Sequence, residues 1–358
     1  MNALSIKKLD VHLHKLSCKL NILKRSVLFL FIISLLVSCS KIQKASLENA
    51  SKSNAVSITR MDKMQADFII NGSPITMEEM AMNCPEETKI LIEDVLRIGS
   101  VKDSNIASKM RNYFTSNPAR RKLVDDVEKK YDNLGQLAKD LKESFGKLQQ
   151  EEPSIDIPHF YTQISGFNQS MVVGDSILGI SLDKYMGPDY APYKKFFFSG
   201  QIEQMDQRRI VPDCIQLWLE SKYPVPHGPH ASLLDLMIHL GKLNWITAQI
   251  VGGNYMETFY KGANTDKASW DKHWPTLSKK LLTRKNLLTT NNNRVRGLMF
   301  GKPKQKQEMH HMGHDSGLLA GITIVAQFMR LHPQYTISQL LNNNNTTDIL
   351  NGAGYIMK

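Results

Sequence analysis

The sequence predicts an α+β fold, predominantly helical, with a small central β-sheet in hairpin form. Apolar residues recur at steps of three and four through most of residues 56–152 and 210–358, the repeat of helices with one buried face. A two-residue alternation rich in β-formers is confined to residues 159–181. No internal repeat is visible, and roughly 300 residues suffice for a substantial core.

The chain before Val56 reads as an export segment. Lys7, Lys8, Lys15, Lys19, Lys24 and Arg25 face a single acid, Asp10, which favours retention of this end on the cytoplasmic side. From Val27 to Val37 every residue except Ser34 is apolar, a run well short of the roughly 20 residues a spanning helix needs. It ends on Leu36-Val37-Ser38-Cys39, which resembles the lipobox of bacterial lipoproteins. Residues 1–38 are therefore expected to be a cleaved signal and Cys39 the site of lipid attachment, anchoring the chain to a membrane through several acyl chains. Residues 39–55, polar and without periodicity, read as a flexible tether. The body is expected in the cell envelope, in the periplasm. Ser40 after the cysteine leaves inner and outer membrane both open.

Six of the 45 basic residues and one of the 34 acidic residues lie in the signal, so the remainder keeps about half of the formal +11 charge. That excess does not argue for a nucleic-acid partner. Cys84 and Cys214, the cysteines left in the body, read as two separate buried thiols, with a bridge between them as the alternative that sequence leaves open.

Element by element, Val56-Ser57-Ile58 reads as a short strand. Leu91, Val95 and Ile98 lie on one face of a helix after Pro85 that Gly99 would end. Val124, Val127, Tyr131, Leu134, Ala138, Leu141, Phe145 and Leu148 predict one long amphipathic helix of about seven turns, its mixed-charge face solvated. After Pro158, residues 159–164 read as a strand and residues 170–180 as a hairpin around Gly174-Asp175. Helices follow at 215–220, at 232–251 with Ser232 as cap, at 276–288 and at 318–331, the last apolar enough to be buried. The asparagine runs at 291–293 and 342–345 read as loops.

The residues offer few sites. Asp183, Tyr185, Gly187, Asp189, Tyr190 and Tyr193 cluster in the segment leaving the hairpin, where binding residues are often found. They serve equally as a structural turn, the aspartates holding backbone amides and the tyrosines packing on the core. Gly241-Lys242 sits inside a predicted helix, where glycine costs about 1 kcal/mol relative to alanine. Close packing against another element accounts for it, with Lys242 reaching a carboxylate. There is no G-x-S-x-G elbow, no phosphate-cradling glycine loop and no cysteine in an activating setting.

Several strings resemble the gliding-motility lipoprotein B (GldB) family of Bacteroidetes. Leu182-Asp183-Lys184-Tyr185-Met186-Gly187-Pro188-Asp189-Tyr190-Ala191-Pro192-Tyr193 is similar to that family's L-D-x-Y-L-G-x-D-Y-P-x-Y signature. Leu233 through Lys242 resembles its L-L-x-x-M-I-x-x-G-K helix, and Gly317 through Met329 its buried G-x-x-x-G-x-x-I-V-x-x-Y-M segment, without the usual tryptophan and arginine. Ile58-Thr59-Arg60-Met61-Asp62 is a weaker echo of an I-x-R-F-D opening. The resemblance implies a zincin-like, metallopeptidase-like fold and partners among other envelope proteins of the gliding machinery.

A zinc peptidase needs two histidines one helical turn apart, an adjacent glutamate and a third ligand. No His-Glu pair occurs, and the helix expected to carry the motif, Pro212 to Glu220, has no histidine. The downstream position offers only His239 and Lys242 as polar groups. His310, His311 and His314 follow Lys302, Lys304 and Lys306 in a Gly- and Pro-containing stretch that reads as a solvent-facing loop, and His227 and His230 flank Pro229 in a turn. The expectation is a non-catalytic structural or interaction component of the gliding machinery, with no metal and no cofactor. The alternatives are a zinc metallopeptidase with a non-standard site and a lipid-tethered ligand-binding module.

Overall fold

Four short strands, β1 (Ile58–Thr59), β2 (His159–Gln163), β3 (Met171–Val173) and β4 (Ile177–Ser181), form one sheet in the computed structural model, which describes residues 56–262, 265–300 and 316–357. Their order is β1-β2-β4-β3. β3 and β4 make the expected antiparallel hairpin, Met171 opposite Ile180 and Val173 opposite Leu178. The sheet is nevertheless mixed, because β2 runs parallel to both β1 and β4, from His159 beside Ile177 to Gln163 beside Ser181. Phe160 through Gln163 and all of β4 are buried. Successive strand residues point to opposite faces, so both faces are covered. Gly179 is a glycine because its neighbour Tyr161 fills the space a Cβ would take.

Helices make up most of the rest. The first half carries α1 (Met61–Asn71), α2 (Pro74–Asn83), α3 (Pro85–Lys89), which continues as a π-turn through Ile90–Leu96, α4 (Ile106–Thr115), α5 (Pro118–Lys130) and α6 (Gly135–Glu151). The second half carries α7 (Ser199–Ile202), α8 (Ile210–Lys222), α9 (Leu233–Val251), α10 (Tyr255–Gly262), α11 (Lys267–Leu281), α12 (Arg284–Leu287), α13 (Asn292–Phe300), α14 (Ser316–Leu331), α15 (Ile337–Asn342) and α16 (Thr346–Gly352). The predominantly helical α+β class is observed. The helix after Pro85 stops before Gly99, where Arg97 turns left-handed at φ 54°.

α1 packs on β2, α8 packs on β3 and β4, and Phe145 of α6 meets Phe160 edge to face at 5.0 Å. Ser232 caps α9 as expected: its hydroxyl accepts from the Asp235 amide, while Asp235 accepts from the Ser232 amide. α9 and α14 form the most extensive helix pair. A Cβ on Gly241 would lie 2.5 Å from the Gly321 carbonyl carbon, so the two glycines let the backbones touch.

Three expectations are corrected. The long helix over 124–148 is two helices, broken between Lys130 and Gly135. Arg60 explains the break, since its guanidinium donates to the carbonyls of Tyr131 at 2.6 Å and Asp132 at 3.2 Å. Asn133 Oδ1 then accepts from the Gly135 amide at 2.7 Å and starts the next helix. The basic helix placed at 276–288 is α11, beginning at Lys267 under an Asp266 cap, followed by the separate α12. The asparagine runs are not plain loops, because Asn292 opens α13, Asn342 closes α15 and Asn345 caps α16.

Candidate functional site

The segment after β4 folds around one buried carboxylate. Leu182–Lys184 is a single 3-10 turn, which directs Asp183 inward, fully buried. Its two oxygens accept from the Ser165 amide at 2.8 Å, the Ser165 hydroxyl at 2.9 Å and the Phe167 amide at 2.6 Å. Gly166 and Phe167 both take positive φ, 65° and 72°, and this turns two amides onto the same anion. Burial pushes the Asp183 carboxyl above its ordinary value, and these hydrogen bonds oppose the shift.

The other residues of the motif extend this knot. Tyr193, fully buried, donates to the Asp183 carbonyl at 2.7 Å and accepts from the Met186 amide at 2.8 Å. Tyr190 donates to Asp126 of α5 at 2.8 Å, and Gly187, at φ 94°, donates its amide to the Met205 carbonyl. Tyr131 and Lys130 at the end of α5 bind the carbonyls of Tyr185 and Met186. Asp189 alone is turned to solvent and takes no part. Asp183, Tyr185, Tyr190 and Tyr193 are thus brought together as a structural turn, and Asp189 is not among them.

Tyr185 leads from this knot to a groove. Its hydroxyl donates to Asp213 at 3.0 Å, and Arg209, one helical turn before Asp213, donates to the other carboxylate oxygen at 2.7 Å. The Arg209 guanidinium lies 5.2 Å from the Tyr255 ring centre, and its Nε and Nη1 are buried without a hydrogen-bond partner among the described residues. Tyr255 in turn donates to Asn244 Oδ1 at 3.0 Å, with Gln216 Oε1 at 3.4 Å. Above this layer opens a groove of about 1070 Å³, lined by Lys130, Tyr131, Arg208, Arg209, Tyr255 and Lys261 among others.

Burial raises the Asp213 carboxyl, with Arg209 opposing, and pushes Tyr185 and Cys214 well above their ordinary values. Cys84 is raised as well, and both cysteines are buried free thiols, as expected. α8 spans the segment expected to carry a metallopeptidase motif, and its polar groups Asp213 and Gln216 are engaged by Tyr185, Arg209 and Tyr255. Among the described residues no three His, Cys, Asp or Glu side chains are grouped to hold a metal. His310, His311, His314 and Cys39 lie outside the described residues.

The family described as Gliding motility protein GldB matches residues 43–356. The chain belongs to the GldB family. No curated protein and no solved structure matches it significantly. The GldB family is associated with gliding motility, and the match spans the knot, the groove and the helices beyond them. No helix among the described residues is long and apolar enough to cross a membrane.

This GldB-family chain has a second, smaller cavity of about 240 Å³ between α9, the end of α8 and the end of α15. His239 and Lys242 face it, and both are buried. Lys242 does not reach a carboxylate, contrary to expectation. Its ammonium donates to the carbonyls of Asn343 at 2.9 Å and Leu341 at 3.4 Å, closing the carboxyl end of α15. Burial lowers Lys242 to about 8, and burial together with the Lys242 charge lowers His239 to about 4.

Sequence reasoning missed Arg209, Asn244 and Tyr255. Only the Arg209 and Asp213 spacing was a usable signal, as an i, i+4 pair of opposite charge.

Proposed function

We propose that this GldB-family protein is a lipid-tethered envelope component of the gliding machinery, acting by binding other envelope proteins rather than by catalysis. The export signal ending at Cys39 supports the tether, and the family supports the cellular process. The non-catalytic part rests on one observation: the Asp213 carboxylate of α8, beneath the groove, is taken up by hydrogen bonds from Arg209 and from Tyr185 of the Asp183 to Tyr193 segment. A zincin-like ancestry accords with a helix packed on a small mixed sheet, its polar positions reused as a brace. The groove, with Arg208, Lys130 and Lys261 at its walls, is the surface offered to a partner in the periplasm.

The test is a chromosomal deletion complemented with the wild-type gene or with Cys39→Ala. Deletion is expected to abolish colony spreading, wild type to restore it, and Cys39→Ala to leave the protein out of the membrane fraction and spreading unrestored. Normal spreading of the deletion strain overturns the reading.

A further inference from the structure

Lys194-Lys195-Phe196-Phe197-Phe198 is a basic and aromatic run at the edge of the knot that the groove does not use. The fold separates its members. Phe197 turns inward, edge-on to Phe167 at 5.9 Å and Tyr193 at 5.7 Å between ring centres, with the Lys184 ammonium 4.0 Å over its ring. Phe198 turns outward, 85% exposed, and Phe196, 56% exposed, rests on Phe167 at 5.4 Å between ring centres and shows the rest of its ring to solvent, beside exposed Lys194 and Lys195.

Exposing two phenylalanines two residues apart is unfavourable in water, and the tip is held in this shape. The amides of Phe196 and Phe197 both bind the Tyr193 carbonyl, at 3.0 and 2.9 Å, and Tyr193 is itself fixed to Asp183. From Ala191 to Gln201 there is no acidic residue. Exposed aromatics with lysines at their base and no negative charge match the interfacial layer of an anionic bilayer, where rings sit at headgroup depth and ammonium groups meet phosphates. The sixteen residues between Cys39 and Val56 can reach at most roughly 60 Å, which on the lipid-tethered reading keeps the body near the surface that holds it.

We propose that the Lys194 to Phe198 tip docks the body onto the membrane, Phe196 and Phe198 entering the interface of an anionic bilayer and Lys194 and Lys195 meeting its headgroups. The inference rests on the lipid-tethered reading for proximity alone.

The full chain, purified from membranes with benzoylphenylalanine at position 198, is reconstituted into vesicles of phosphatidylcholine with one third phosphatidylglycerol, irradiated and analysed by mass spectrometry. Lipid adducts at position 198 are expected. Pure phosphatidylcholine, or Lys194→Glu with Lys195→Glu, is expected to lower their yield at least about tenfold, as two headgroup contacts imply. Equal yield in neutral vesicles, undiminished yield in the charge-reversed chain, adducts to protein alone, or no adduct overturns the proposal. Co-flotation with the vesicles reports the tether independently: a chain that floats without a lipid adduct at 198 refutes docking and leaves the tether standing.

Discussion

Tyr185 and Asp213 are joined by a 3.0 Å hydrogen bond that ties the segment leaving the sheet to the helix beneath the groove. The bond ends on a carboxylate already paired with Arg209, so it is charge-assisted, and it joins a buried phenol to a partly exposed carboxylate. Tyr185→Phe deletes only this donor and is expected to cost about 1.5–3 kcal/mol in urea unfolding. A loss below about 0.5 kcal/mol would show that the bond does not brace the floor.

The two aspartates of the motif segment should part company. Asp183→Ala leaves two buried amides and a buried hydroxyl without their acceptor, an expected loss of about 3–5 kcal/mol. Asp189→Ala, at an exposed position, should stay within about 0.5 kcal/mol of wild type. Equal losses measured by chemical denaturation would contradict the assignment of Asp183 as the anchor.

Where α9 crosses α14, a Cβ on Gly321 would collide with the Met237 carbonyl oxygen, a backbone atom that cannot swing aside. Alanine gains about 1 kcal/mol in helix propensity, but separating the most extensive helix pair costs more. Gly321→Ala is therefore expected to be destabilising by about 1–3 kcal/mol. A stabilised variant would mean that the crossing is looser than described.

Acid should weaken the fold through His239. Its folded value of about 4 lies below the unfolded value of about 6.5, so between these the unfolded chain binds more protons and stability falls as pH falls. Its contribution to the loss between pH 7 and pH 5 is about 2 kcal/mol, and His239→Gln should remove it from the pH profile of the urea midpoint. Lys242, lowered to about 8, carries its full penalty below that pH and releases it as pH rises towards 10.5. Lys242→Met should raise the His239 titration, read by NMR of its ring proton, because the ammonium is one of the two causes of the depression.

Much of the fold was written locally. The hairpin at 171–181, the Ser232 cap and the apolar α14 follow from alternation, a capping residue and an unbroken apolar run. The break after Lys130 was hidden because Tyr131 and Leu134 continue the apolar spacing and are buried on either side of it, while its cause, Arg60, lies about 70 residues earlier. Lys242 misled for the same reason: its carbonyl partners come from the end of a helix about 100 residues on. The motif from Asp183 to Tyr193 was visible as a cluster, but which aspartate is buried, and which phenylalanines of the following run face outward, depends on how Tyr193 and Phe167 pack. The parallel pairing of β1, β2 and β4 joins strands that no short turn connects, so no local signal announced it.

The most direct test of a binding rather than catalytic role is Asp213→Asn on the chromosome of the host, with protein level and colony spreading measured together. The amide keeps the size of the side chain and an acceptor for Tyr185 but removes the carboxylate that α8 holds between Tyr185 and Arg209 beneath the groove. Spreading at the wild-type rate, with normal protein abundance, is the expected result. Loss of spreading with a folded protein at wild-type level, restored by Asp213→Glu, would show that an ionisable group is required and would contradict the non-catalytic account.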